Sequence, residues 1–257
     1  MSQDPPEAEV GRPQGIFRAL SYRNYRLFFF GQSVSLIGTW MQQVAMSWLV
    51  YRLTGSALLL GTVGFTSQIP TFVVAPFAGV LADRANRHRL LIVTQSVAMA
   101  QAFLLAFFVI SGTIQVWHII VLSLVLGVVN GFDIPIRQSF VIEMVEEKHN
   151  LANAIALNSS MVNAARLIGP SVAGLLISMV GEGTCFLLNG VSYLAVLLSL
   201  AMMKVTPRKV TRKRRSILYE LREGIGYTIR FVPIRSILML MALMSLMGMP
   251  YAVLIRF

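Results

Sequence analysis

The chain has 257 residues, of which 56% are hydrophobic and only 13% charged, a balance too apolar for a soluble domain, where about a quarter of residues carry charge. Its formal charge of +11 is spread between apolar blocks on alternate sides rather than gathered on one patch, which points to membrane orientation and away from nucleic acid. Cys185 is the single cysteine, so a disulfide framework or cysteine-rich metal centre within the chain is excluded.

Residues 1–26 are polar and Pro-rich with no apolar core, and read as a cytoplasmic tail rather than a cleavable signal peptide. Leu27 to Tyr51 is free of charge, and a second such block lies between Arg52 and Asp83 after a turn at Thr54-Gly55-Ser56. Leu90 to Phe132 is long enough for two spans folded at Ser111-Gly112-Thr113. Leu151 to Met179 forms a fifth span interrupted by Arg166, and Gly183 to Met203 a sixth after Gly181-Glu182-Gly183. Blocks of about 20 apolar residues cross a hydrocarbon core of about 30 Å as helices, whose backbone groups are satisfied internally. The predicted fold is therefore an all-α membrane protein, with residues 27–203 as a six-helix bundle. Residues 204–235 follow as a basic cytoplasmic linker, with the cluster Arg212-Lys213-Arg214-Arg215 and an amphipathic stretch from Ile217 to Phe231 suited to the leaflet surface. Residues 236–257 supply a seventh span, and its lack of a following partner reads as truncation.

Of the 22 Lys and Arg, four lie in the tail, three in the Asp83 loop, two near the end of span four and ten in 204–235. The opposite side holds only Arg52, so the positive-inside rule places the N-terminus in the cytoplasm of a bacterial inner membrane.

Helices lining a polar pathway carry polar residues at helical spacing on one face. Span one does so with Gln32, Ser35, Thr39 and Gln42, span four with Ser123, Asn130, Asp133 and Arg137, span five with Ser159, Asn163, Arg166 and Pro170. Spans three and six show no comparable stripe and are expected to pack outside. An ion near a helix centre costs about 2.5–3.5 kcal/mol, so Asp133 and Arg166 must face partners or water. Two readings stand for each: Arg166 binds substrate or bonds helix carbonyls, and the Asp133/Arg137 pair carries a proton or is a structural ion pair or gate. Gln42 and Gln43 bind substrate or join helices. His118 beside Trp117 reads as part of an interfacial aromatic belt and Cys185 as a packing residue, while Ala75-x-x-x-Gly79 and Gly127-x-x-x-Gly131 predict close helix approach. No Gly-Lys pair exists to form a phosphate-cradling loop, and the metalloprotease and serine-hydrolase motifs are absent from the sequence. A metal site, a cofactor and enzymatic activity are accordingly not expected.

Gly79-Val80-Leu81-Ala82-Asp83-Arg84-Ala85-Asn86-Arg87-His88-Arg89 resembles the G-x-L-a-D-r-x-G-r-r/k signature of the major facilitator superfamily. There the loop is a cytoplasmic latch, which implies that role for Gly79, Asp83, Arg84, Arg87 and Arg89, with Asp83 capping a helix. Asn86 stands where the family has Gly, and the expectation is that Asn adopts the left-handed backbone. Gly169, Pro170 and Gly174 resemble the family's exporter motif G-x-x-x-G-P-x-x-x-G, with Ala165 in place of the first Gly. With Thr54-Gly55-Ser56, Asp133-x-Pro135-x-Arg137-Gln138 and Asn163-Ala164-Ala165-Arg166, the chain looks closest to the enterobactin exporter and transmembrane secretion effector branch. The resemblance implies 3+3 inverted repeats within a six-helix half, twelve helices in all, and proton-driven efflux of amphipathic molecules or siderophores. On that reading Gln32, Thr39, Gln42, Asn130 and Arg166 line the substrate cavity and Asp133 and Arg137 couple protons to gating. The implied partners are the bilayer, a small-molecule substrate, the proton, and a missing C-terminal half. The alternative is a non-transporting fragment or regulatory subunit.

Overall fold

Each long apolar block is helical in the computed structural model of the chain, which describes residues 17–145, 148–205 and 217–254. The proline-rich start of the tail, the Arg212–Arg215 cluster and the last three residues of span seven lie outside the described residues. After a short 3-10 turn, Arg18–Ser21, come α1 (Arg23–Thr54), α2 (Ala57–Arg84), α3 (Arg87–Ile110), α4 (Val116–Met144), α5 (Lys148–Val180) and α6 (Glu182–Ala201). A separate unit contains α7 (Ile217–Arg230) and α8 (Val232–Leu254). No strand occurs among the described residues.

Three glycines make the turns that the apolar blocks require. Gly55 (φ 58°), Gly112 (φ 70°) and Gly181 (φ 85°) adopt left-handed backbone, which a Cβ would strain. The turn between α2 and α3 departs from the resemblance. Asn86 is extended (φ −72°, ψ 105°) and its side chain accepts from the Arg89 amide at 3.1 Å, capping α3. Asn86 is therefore the N-cap of α3, and no left-handed residue is needed there.

Within the first unit α2 packs along α4, α1 along α5 and α6, and α3 along α6 and α4. A two-fold relating α1–α3 to α4–α6 turns the α2/α4 pair into α5/α1 and maps α3/α6 onto itself, the pattern of an inverted repeat. Lipid supplies no hydrophobic force between helices, so close approach matters. A Cβ on Gly127 or Gly131 would collide with α2 at Ser67, Thr71 and Val74, on Gly31 or Gly38 with Ser199, Ser192 and Asn189 of α6, and on Gly169 with the α1 backbone at Ile37 and Met41. The expectation for Ala75-x-x-x-Gly79 differs: a Cβ at Gly79 would meet nothing among the described residues.

Five helices, α2 to α6, are long and apolar enough to cross a membrane. The sixth predicted span, α1, is not among them, because Gln32, Ser35, Gln42 and their polar neighbours lower its hydropathy. It nevertheless covers the same depth as α6. Asn24 at its start bonds the Lys204 backbone just after α6, and Arg52 near its end pairs with Glu182 at the start of α6. Within this bundle 44% and 39% of the apolar windows of α3 and α6 are buried, against 11% for α2 and 22% for α5. The α2 and α5 faces are the open ones.

In the second unit, α7 is amphipathic, and Tyr227 stacks on Phe231 with centroids 5.5 Å apart. The α8 helix begins with a shorter apolar stretch, Val232–Met244.

Candidate functional site

Asp133 sits two residues before Pro135, whose missing N–H cannot bond the Gly131 carbonyl, so α4 is locally open in its hydrogen bonding. The carboxylate is only 5% exposed. Its Oδ1 accepts from the Thr94 hydroxyl at 2.9 Å and the Gln95 side-chain amide at 2.7 Å, both on α3. Its Oδ2 faces Arg137 Nε at 3.6 Å, an ion pair one helical turn away without hydrogen-bond contact. Two donors and a cation therefore offset the cost of holding a carboxylate at this depth.

A cavity of about 40 Å³ opens beside this pair, with room for roughly two or three water molecules. Gln32, Ser35 and Thr39 line it from α1, Asn130 from α4 and Tyr193 from α6, whose hydroxyl lies 3.4 Å from Thr39 Oγ1. The predicted residues Gln32, Thr39, Asn130, Asp133 and Arg137 are thus brought to one place. Gln95, Thr94 and Tyr193 were not anticipated. A signal existed: Leu91, Gln95, Ala98, Ala102 and Leu105 recur at three and four along the buried face of α3, where small residues between two polar ones mask the stripe.

Gln42 belongs to a different cluster. Its side-chain amide donates to Gln101 Oε1 at 3.0 Å and its carbonyl accepts from Asn189 Nδ2 at 2.7 Å. Gln101 continues to the Leu122 carbonyl at 3.4 Å, and the Ser192 hydroxyl reaches the Asn189 carbonyl groups at 2.8 and 3.1 Å. Gln42 is 3% exposed and outside the cavity lining. The helix-joining reading of this residue is the one its geometry supports: the buried amide is held at both ends, by α3 and by α6, outside the lining of this small cavity.

Arg166 is also apart from the Asp133 cavity. It is exposed on α5 with its guanidinium 4.8 Å from the centroid of the Trp40 ring of α1, a cation–π contact. Gly169 lets α5 approach α1 closely enough to hold Arg166 over the indole. Pro170 has no N–H to give the Arg166 carbonyl, while Gly174 packs against nothing among the described residues.

At the loop between α2 and α3 Arg87 gathers four contacts. It donates to the Ala82 carbonyl (2.9 Å), Asp83 (3.0 Å), Glu143 (2.7 Å) and the Ser139 carbonyl (3.4 Å), tying the end of α2 to the end of α4. The His88 ring bonds the Leu200 carbonyl at 2.8 Å and ties α3 to α6. Arg84 ends α2, and the Arg89 side chain is exposed. At the other end His118 Nδ1 accepts from the Gln115 amide at 3.0 Å and its ring stacks on Phe108, so the belt residue also caps α4.

Apolar helices of membrane length around a buried, hydrogen-bonded carboxylate mark a multi-pass helical membrane protein. The family profile of transmembrane secretion effectors matches residues 14–255, and the chain belongs to that family of the major facilitator superfamily. It is similar to the staphyloferrin A transporter of Staphylococcus aureus, 31% identical over 183 residues, or 70% of this chain and 46% of the relative. Macrolide efflux protein A of Streptococcus pyogenes is 26% identical over 162 residues, 62% of this chain and 40% of its own length. An uncharacterized major facilitator transporter of Bacillus subtilis is 22% identical over 204 residues, 76% and 47% respectively. The chain spans a little under half the length of these curated relatives.

Proposed function

We propose that this chain forms the first, cavity-lining bundle of a secondary transporter in a bacterial inner membrane, with its N-terminus in the cytoplasm. It exports small amphipathic molecules, drug-like compounds or siderophores, by alternating access coupled to protons, and catalyses no covalent chemistry. A second bundle seats against the open faces of α2 and α5, and the central pathway runs between the two. Gln32, Thr39 and Asn130 face that pathway through the small cavity, and Arg166 meets it on the exposed side of α5. Asp133 and Arg137 couple protonation to movement, because a proton on Asp133 removes the charge that holds Arg137. The Arg87 contacts with Asp83 and Glu143 hold the cytoplasmic ends of α2 and α4 in one of the two states, in the manner of a latch.

The observation that carries this reading is Asp133: a carboxylate buried at membrane depth, beside water-sized space, with a cation one turn away. The names of the siderophore and macrolide relatives support the substrate class. The test is efflux of a panel of siderophores and drugs from cells carrying the full-length gene. Asp133→Asn is expected to lower proton-driven efflux and to flatten its pH profile, because the amide cannot take up the proton. Unchanged efflux with an unchanged pH profile would remove Asp133 from the coupling. Tags at Gly112 and Gly181 reachable only from outside the cell would support the orientation.

A further inference from the structure

We propose that Thr94 and Gln95 of α3 read the charge on Asp133, the Gln95 side-chain amide reversing when the carboxylate takes up a proton. This rests on the proposed proton exchange at Asp133 and assigns it two positioning residues. The hydrogen bonds around Asp133 are arranged for one charge state and have a second arrangement within reach. The Thr94 hydroxyl has a single hydrogen and two acceptors, Asp133 Oδ1 at 2.9 Å and the Leu91 carbonyl at 3.1 Å. It can serve either, but not both. Gln95 gives its amide nitrogen to Asp133 Oδ1 at 2.7 Å, while its own Oε1, in a side chain only 5% exposed, has no donor among the described residues. An unfilled acceptor buried next to a carboxylate has no use while that carboxylate is ionised, since an ionised carboxylate only accepts.

Protonation reverses the requirement. A proton arriving from cavity water leaves that water neutral and ends on Asp133 Oδ1, and the new O–H must donate. Turning the Gln95 amide by about 180° about its last torsion, which is soft and nearly two-fold, puts Oε1 where the nitrogen was. The nitrogen then takes the buried position that Oε1 leaves. The Thr94 hydrogen turns to Leu91. No bond other than the transferred O–H changes. The groups facing Asp133 are few: Arg137 on its own helix and the Tyr193 hydroxyl from α6 are the charged or titratable ones. The α1 and α3 residues there are neutral, the α2 residues packed on α4 at Ser67, Thr71 and Val74 are neutral, and Arg166 of α5 lies over Trp40. The α3 pair is thus the one part of the surround that both donates to the charged form and can accept from the neutral one.

Infrared difference spectroscopy of purified full-length protein, titrated with acid, reads this without a substrate. The protonated carboxyl band of Asp133 is the one abolished by Asp133→Asn. Gln95→Leu is expected to move that band to the higher wavenumber of an acid without an acceptor, and Gln43→Leu, on the exposed face of α1, to leave it in place. Gln95→Met, unbranched and likewise without an acceptor oxygen, is expected to move the band in the same direction. If no band depends on Asp133 at any pH, the proton reading falls and this inference with it. If the band exists but Gln95→Leu leaves it unmoved, the inference alone is overturned. If Gln95→Leu does not fold, an unmoved band in Gln95→Met overturns it instead.

Discussion

Two polar clusters lie one helical turn apart in the same bundle, and only one of them is finished. Around Gln42, three side-chain amides and a hydroxyl from α1, α3 and α6 bond one another with both ends of the central amide used. Around Asp133, a carboxylate, an unfilled amide oxygen and a cation held at 3.6 Å surround space for water. Both are expensive to bury in hydrocarbon, so polarity alone does not distinguish glue from machinery. What distinguishes them is completeness: a closed network fixes a packing arrangement, whereas an open one keeps capacity for a second state.

The sharpest way to break the closed cluster is through the glycine that lets α1 and α6 approach. Gly38→Leu would drive a side chain into Ser192 and Asn189 and should destabilise the bundle by about 3 kcal/mol or prevent folding, the upper range for overpacking. Thermal unfolding in detergent measures this. A variant of wild-type stability would show that α6 has room the geometry denies it.

Removing the hub instead of the approach should cost less. Gln42→Leu strands the Gln101 and Asn189 amides and is expected to lower stability by about 1–2 kcal/mol, the range for interhelical hydrogen bonds with buried partners left over, while leaving the pH profile of transport alone. Asn130→Ala in the open cluster should do the opposite: a stability change under about 0.5 kcal/mol, with altered transport. If Gln42→Leu shifted the pH profile and Asn130→Ala did not, the division between the clusters would be wrong.

That division was only half legible in the sequence. Charge-poor length marked α1 to α6, and three of the turns between them were marked by Gly55, Gly112 and Gly181, because left-handed backbone selects for glycine. The α1 and α4 stripes were readable because Gln32, Thr39, Asn130 and Asp133 stand out against apolar neighbours at helical spacing. Their sorting into two clusters was not, since Thr39 and Gln42 share one face of α1 and differ only in what α3 and α6 bring opposite them. Those partners, Gln95, Gln101, Asn189 and Tyr193, sit among alanines and leucines, where spacing signals packing before chemistry. The Arg52–Glu182 pair was hidden for a related reason: 130 residues separate its members, and only the antiparallel run of α1 against α6 brings them together.

A further substitution tests whether Arg166 belongs to the open side as well. Its guanidinium lies over Trp40 and the side chain is exposed, so the contact is worth about 0.5–1 kcal/mol, and Arg166→Gln should lower the melting temperature slightly. The emission of Trp40, isolated by replacing Trp48 and Trp117 with Phe, should change with it, because the cation over the ring is gone. The informative reading is the ratio of the two losses. An arginine that only braces α5 against α1 loses transport no faster than stability, as Gln42 would. An arginine facing the pathway loses transport several-fold at nearly constant stability, which is the behaviour expected of a charge that the bundle leaves uncovered.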